Sequence, residues 1–143
     1  MPFEFRGDIA HADIAFDAWG ETLEELFKQT AQATMKVMVE DLATIRASEK
    51  IPIKLDQSNE EMLLFDFLNE IIFYKDSKRL LLLPEQLSVT NAGGNCTLLA
   101  TLQGEEIDAA RHRLGTDVKA VTMLRFSVIR VQQGWQATVV LDV

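Results

Sequence analysis

Asp13, Asp17, Asp142 and the terminal carboxylate of Val143 are the groups in this 143-residue sequence whose type and placement could do chemistry. The first two belong to an alternating stretch, DIAFDAW (13–19), and the last two close another, WQATVVLDV (135–143). By residue type alone they read as solvated strand tips. If Asp13 and Asp142 are brought together, however, two carboxylates ~5 Å apart repel by about 3 kcal/mol at an effective dielectric of about 20. Such a pair invites a cation, and all-oxygen ligation favours Ca²⁺, Mg²⁺ or Mn²⁺ over zinc.

Other reactive side chains point less clearly to chemistry. His11 shares a strand face with Asp13, two residues on, and reads more readily as a local hydrogen-bond pair than as a ligand. His112 lies in AARHRLG between Arg111 and Arg113 and reads as a solvated loop residue. Cys96 is the sole cysteine, which excludes an internal disulfide and a thiolate metal cluster. At the head of an apolar strand it reads as a small buried hydrophobe. The sequence has no G-x-S-x-G, P-loop, dinucleotide fingerprint or H-E-x-x-H. NAGGN (91–95) joins two strands and reads as a hairpin turn. A metal-dependent phosphoester hydrolase using Asp13 and Asp142 to hold a cation that activates water would have only His11 as a nearby base.

The elements that must position these groups follow from periodicity. In 13–19, Ile14, Phe16 and Ala18 share one face, and Asp13, Ala15 and Asp17 the other. Gly20 breaks that strand. TLEE (22–25) is then a capping box for a helix reaching about Val39, with Leu23, Leu26, Phe27, Ala31, Met35 and Met38 on one stripe. IPIKLD (51–56) reads as a strand that Pro52 confines to a sheet edge. SNEE (58–61) repeats the capping box and opens a helix over 59–74. That helix is apolar around much of its girth, which places it centrally. Strands are expected at 80–83, 87–90 and 96–102, followed by a polar loop over 104–117. A hairpin of 118–131 and 135–143 turns at Gly134. The fold class is α+β, two helices packed on mostly antiparallel sheet, in a single domain spanning 1–143.

Composition bounds the partners. Apolar residues make up 48% and charged residues 25%, the balance of a globular domain. The 22 acidic against 14 basic side chains give a net charge of −8, which opposes direct binding to nucleic acid. No run approaches the ~18 apolar residues of a membrane span, and the N-terminus lacks the pattern of a secretory signal. We expect a cytoplasmic protein with no membrane partner.

HADIAFDAWGETLEELF (11–27) resembles the opening signature of the archease family. FLNEIIF (67–73), GEEID (104–108), DVKAVTM (117–123) and VVLDV (139–143) are similar, in the same order, to four further archease motifs. The resemblance implies an archease-like fold and a non-catalytic accessory protein of an RtcB-type RNA-splicing ligase, active in tRNA processing. Such a protein promotes the ligase's GTP-dependent guanylylation and its turnover. It also implies a divalent cation, calcium first, held at the positions of Asp13, Asp142 and Val143, and a part for Lys119 in ligase activation. Aligned on Asp13, the family's His falls on Ala10, its Thr on His11 and its Gly on Ala15, so the surroundings of the implied site depart from the family pattern.

Overall fold

The computed structural model describes residues 2–7 and 13–143. His11 and Ala10 lie outside the described residues. Seven strands form two antiparallel sheets: β1 (Phe3–Arg6), β2 (Asp13–Gly20), β7 (Gly134–Asp142) and β6 (Ala120–Val131) lie side by side in that order. The second sheet runs β3 (Glu49–Gln57), β5 (Asn95–Glu106), β4 (Leu80–Ala92). Helices α1 (Leu23–Met38) and α2 (Glu60–Lys78) each touch strands of both sheets, so two helices on antiparallel sheet is the architecture found.

Local chemistry accounts for the helix starts. Thr22 accepts the Glu25 N–H at 3.1 Å, while the Glu25 carboxylate accepts the Glu21 N–H at 3.0 Å. Two of the orphan donors at the start of α1 are thereby satisfied. At α2 the cap is Asn59, accepting the Met62 N–H at 2.8 Å, rather than the expected Ser58. With Asn59 rather than Ser58 as the capping side chain, the helix starts one residue later. The helix then runs past the expected Tyr74 to Lys78 and stops at Arg79, whose φ of 55° cannot continue it.

The all-round apolarity of α2 matches its surroundings. Leu63, Leu64, Phe67, Leu68 and Ile71 are fully buried, and Phe67 stacks on Phe27 of α1 with ring centroids 5.6 Å apart. Helix side chains also close sheet edges. Glu61 accepts the Val128 N–H of β6 at 3.2 Å, and Glu24 accepts the Val89 N–H of β4 at 3.0 Å. Those strands would otherwise present unpaired donors.

Several expected boundaries shift. Phe3–Arg6 is a strand that periodicity does not reveal in four residues; it forms because β2 is there to pair with it, Phe5 packing edge-on to Phe16. The strands expected at 80–83 and 87–90 are one, β4, with a bulge between Pro84 and Gln86. β5 continues to Glu106, into the expected loop. The 118–131 strand begins its ladder at Ala120 and bulges between Thr122 and Ser127, with Arg125 at φ 52° and Phe126 turned inward onto Phe65. Pro52 does lie on an edge strand, Cys96 is buried, and Gly93 and Gly94 make the left-handed turn of the β4–β5 hairpin. Among the described residues, no helix is long and apolar enough to cross a membrane.

Candidate functional site

The β2–β7 register sets Asp13 directly opposite Asp142. Alternation puts both on the sheet face away from Ile14, Phe16, Val139 and Leu141, so Asp142 is exposed and Asp13 half-buried. Directly opposed residues on one face bring their Cβ atoms to about 5 Å. Two aspartates on strands from opposite ends of the sequence are thus brought together.

Further along the same face, Asp17 is engaged. It accepts the Thr138 hydroxyl at 2.7 Å and lies 3.6 Å from the Arg6 guanidinium. The Asp13 and Asp142 carboxylates have no such partner among the described residues. Val143 follows immediately and packs its side chain on the core. Among the described residues, no group of three or more His, Cys, Asp or Glu side chains is placed to hold a metal ion. The pair is therefore two carboxylates, and a third donor would have to be of another kind.

Lys119 reaches the same edge through its backbone: its N–H donates to the Asp142 carbonyl at 2.8 Å, and its side chain is exposed. The segment that delivers it is held from below. Lys75 of α2 is 6% exposed and donates to the Val118 carbonyl at 2.7 Å, to Asp117 and to Asp76. Burial alone would lower the Lys75 pKa, but the bonds and charges of Asp117 and Asp76 outweigh it and raise the value.

Upstream, the same segment is pinned to the end of α1. Gly115 and Thr116 donate backbone N–H bonds to Met38 and Val37 at 2.8 and 2.9 Å. The approach is so close that a Cβ on Gly115 would lie 2.5 Å from the Val37 carbonyl oxygen.

A second polar cluster stabilises this segment from β5. Glu105 accepts from Arg111, from the Arg46 N–H at 2.7 Å and faces His112 Nε2 at 3.0 Å. The Arg111 bond, with smaller help from Arg46 and His112, overcomes burial and lowers the Glu105 pKa to about 2. His112 is 2% exposed, which corrects its reading as a solvated loop residue. The Asp108 N–H donates to its Nδ1 at 2.9 Å, so the tautomer that satisfies both contacts carries its proton on Nε2. With both ring nitrogens engaged, His112 offers no free base; His11, the base that the hydrolase reading would need, lies outside the described residues, and that reading finds no support among the described ones.

Lys75 and the Glu105 cluster are residues that sequence reasoning missed. For Lys75 a signal exists: it falls seven residues after Leu68 and four after Ile71, on the buried stripe of α2. For Glu105 the polar composition of GEEID gave no cue to burial.

Comparisons with known proteins agree with this architecture. The sequence matches the archease protein family (MTH1598/TM1083) over residues 3–143. It is 30% identical over 133 residues to the protein archease of Aeropyrum pernix, covering 92% of each chain. The solution structure of Methanobacterium thermoautotrophicum protein 1598 superimposes with a TM-score of 0.84 at 30% identity, over 99% of each chain. The crystal structure of a Thermotoga maritima archease, described as a possible chaperone, shares the fold with a TM-score of 0.63 at 22% identity, over 98% of each chain. With a family match spanning nearly every residue and a close structural counterpart at the same length, the chain belongs to the archease family.

Proposed function

We propose that the chain is a non-catalytic accessory protein of an RtcB-type RNA-splicing ligase, promoting the ligase's GTP-dependent guanylylation and its turnover. The observation that carries this reading is the shared edge of Asp13, Asp142 and Lys119, two opposed carboxylates and an exposed lysine on a rigidly backed strand end. A divalent cation fits the donors: Asp13 and Asp142 would hold it, with the α-carboxylate of Val143 as third donor, and oxygen ligands suit Ca²⁺ first, Mg²⁺ or Mn²⁺ next. When bound, such an ion supplies positive charge and open coordination positions toward phosphate or carboxylate oxygens. Asp13 and Asp142 would orient it, the Lys119 N–H bond keeps the Asp142 backbone in place, and the exposed Lys119 ammonium is free to meet a docking partner. The net charge of −8 suits docking on a basic enzyme rather than on RNA itself.

The test is a guanylylation assay with labelled GTP, a divalent ion and an RtcB-type ligase. The chain alone is expected to leave GTP and cleaved RNA unchanged, and to raise the amount of guanylylated ligase formed per unit time when both are present. No acceleration across a concentration series would overturn the reading.

A further inference from the structure

Gly20, at the far end of β2 from Asp13, pairs with Trp135, ~20 Å along the strand from the carboxylate pair. There a cavity of about 320 Å³ opens at the surface, lined chiefly by Trp19, Trp135, Pro2, Val131, Glu21 and Glu25. Alternation sets Trp135 on the face of Leu141 and Trp19 on the face of Asp13, so the two residues border the cavity from opposite faces of the sheet. Neither the opposed aspartates nor Lys119 takes part.

The walls are built to hold shape. A Cβ on Gly20 would lie 2.4 Å from the Leu26 nitrogen, and one on Gly134 would lie 2.3 Å from the Gly20 carbonyl oxygen. Backbone therefore packs on backbone beneath the indoles. The Trp19 N–H donates to the Pro2 carbonyl at 2.8 Å, tying the N-terminal segment to the rim. An anion is not invited, although α1 begins here: the Glu25 N–H is taken by Thr22, the Glu21 N–H by Glu25, and two acidic residues line the cavity.

The chemistry left is that of an organic cation. Indole faces attract cations, and a planar guanidinium stacks on them better than an ammonium does. Trp135 already shows this preference, with the Arg130 guanidinium 5.0 Å from its ring centroid. Arg130 itself is not one of the residues that line the cavity. We propose that this cavity receives the guanidinium of an arginine side chain presented by a basic peptide segment, stacked on indole and paired with Glu21 and Glu25. The proposal does not depend on the ligase reading, since it concerns a different end of the molecule.

The test is a titration of the ¹⁵N-labelled full chain at low salt, followed through its two indole N–H resonances. The probes are an acetylated, amidated Gly-Arg-Gly peptide, the same peptide with neutral citrulline, and methylguanidinium. Saturable shifts of the Trp135 indole signal with the arginine peptide, and weaker or no shifts with the other two, are expected. Glu21→Gln with Glu25→Gln should weaken arginine-peptide binding roughly fivefold or more while the rest of the spectrum keeps its dispersion, because glutamine can still accept the Glu21 N–H. Absence of saturable indole shifts, or equal binding of the citrulline peptide, overturns the proposal. Methylguanidinium binding as tightly as the peptide overturns its peptide source.

Discussion

Asp13 and Asp142 stand directly opposite each other across the β2–β7 ladder, and the Asp142 carbonyl accepts the Lys119 N–H at 2.8 Å. Two acidic side chains and the backbone of Lys119, drawn from three distant parts of the sequence, thus meet at one end of the sheet. If a cation is held there, charge on each contributor should matter separately.

Asp13→Asn and Asp142→Asn each remove one charge with little change of shape. Each is expected to weaken divalent-ion affinity roughly 10-fold or more, measured by calorimetry, with a parallel loss of ligase activation. Residues added after Val143 convert its carboxylate to a neutral amide carbonyl and should act in the same direction. Unchanged affinity in the extended form would remove Val143 from the site; unchanged affinity in all three would remove the metal.

Lys119 has an exposed side chain, while its structural bond is made by the backbone. Lys119→Ala should therefore change stability by no more than about 0.5 kcal/mol and yet lower ligase activation. Thermal melts and guanylylation rates, taken on the same preparation, separate the two effects. Full activation by the variant would leave Lys119 an ordinary surface residue.

Lys75→Met should behave differently. It strands the buried Val118 carbonyl and removes the cation between Asp76 and Asp117, which costs roughly 1–3 kcal/mol. Because the Lys75 pKa is raised on folding, its contribution is complete below the ordinary value of 10.5 and fades as pH climbs past the higher folded value. The difference in melting temperature between parent and variant should accordingly be constant near neutrality and shrink only in strong alkali. A difference that shrinks within about one pH unit of neutrality would contradict this origin.

Glu105 provides the acid-side counterpart. Its carboxyl is lowered from 4.5 to about 2 by Arg111, Arg46 and His112, so the charged form stabilises the fold fully above the unfolded value. That stabilisation is lost as pH falls from about 4.5 toward about 2. Glu105→Gln should be less stable than the parent at neutral pH, and the gap should close across that acid window. Parallel stability curves for the two proteins through it would show that the carboxylate charge is not what secures the 107–117 segment.

Strand alternation in 13–19 and 135–143, the Thr22 cap, the all-round apolarity of α2, the glycine turn at 93–94 and the edge position of Pro52 could all be read from the residues, because each rests on interactions within a few positions. The placement of Asp13 and Asp142 on solvent-facing strand ends was equally local. That they face each other was decided only by the β2–β7 register, set by which side chains of two remote strands share the core. β1 exists only because β2 offers it an edge. The burial of Lys75, Glu105 and His112 also escaped the sequence: a polar side chain enters the interior only when partners from other segments satisfy it, and those partners are Asp117, Val118, Arg46 and Arg111. The sequence by itself determined both helices and every strand but β1; the tertiary structure decided which charges meet, since charge pairing depends on distances that no local pattern encodes.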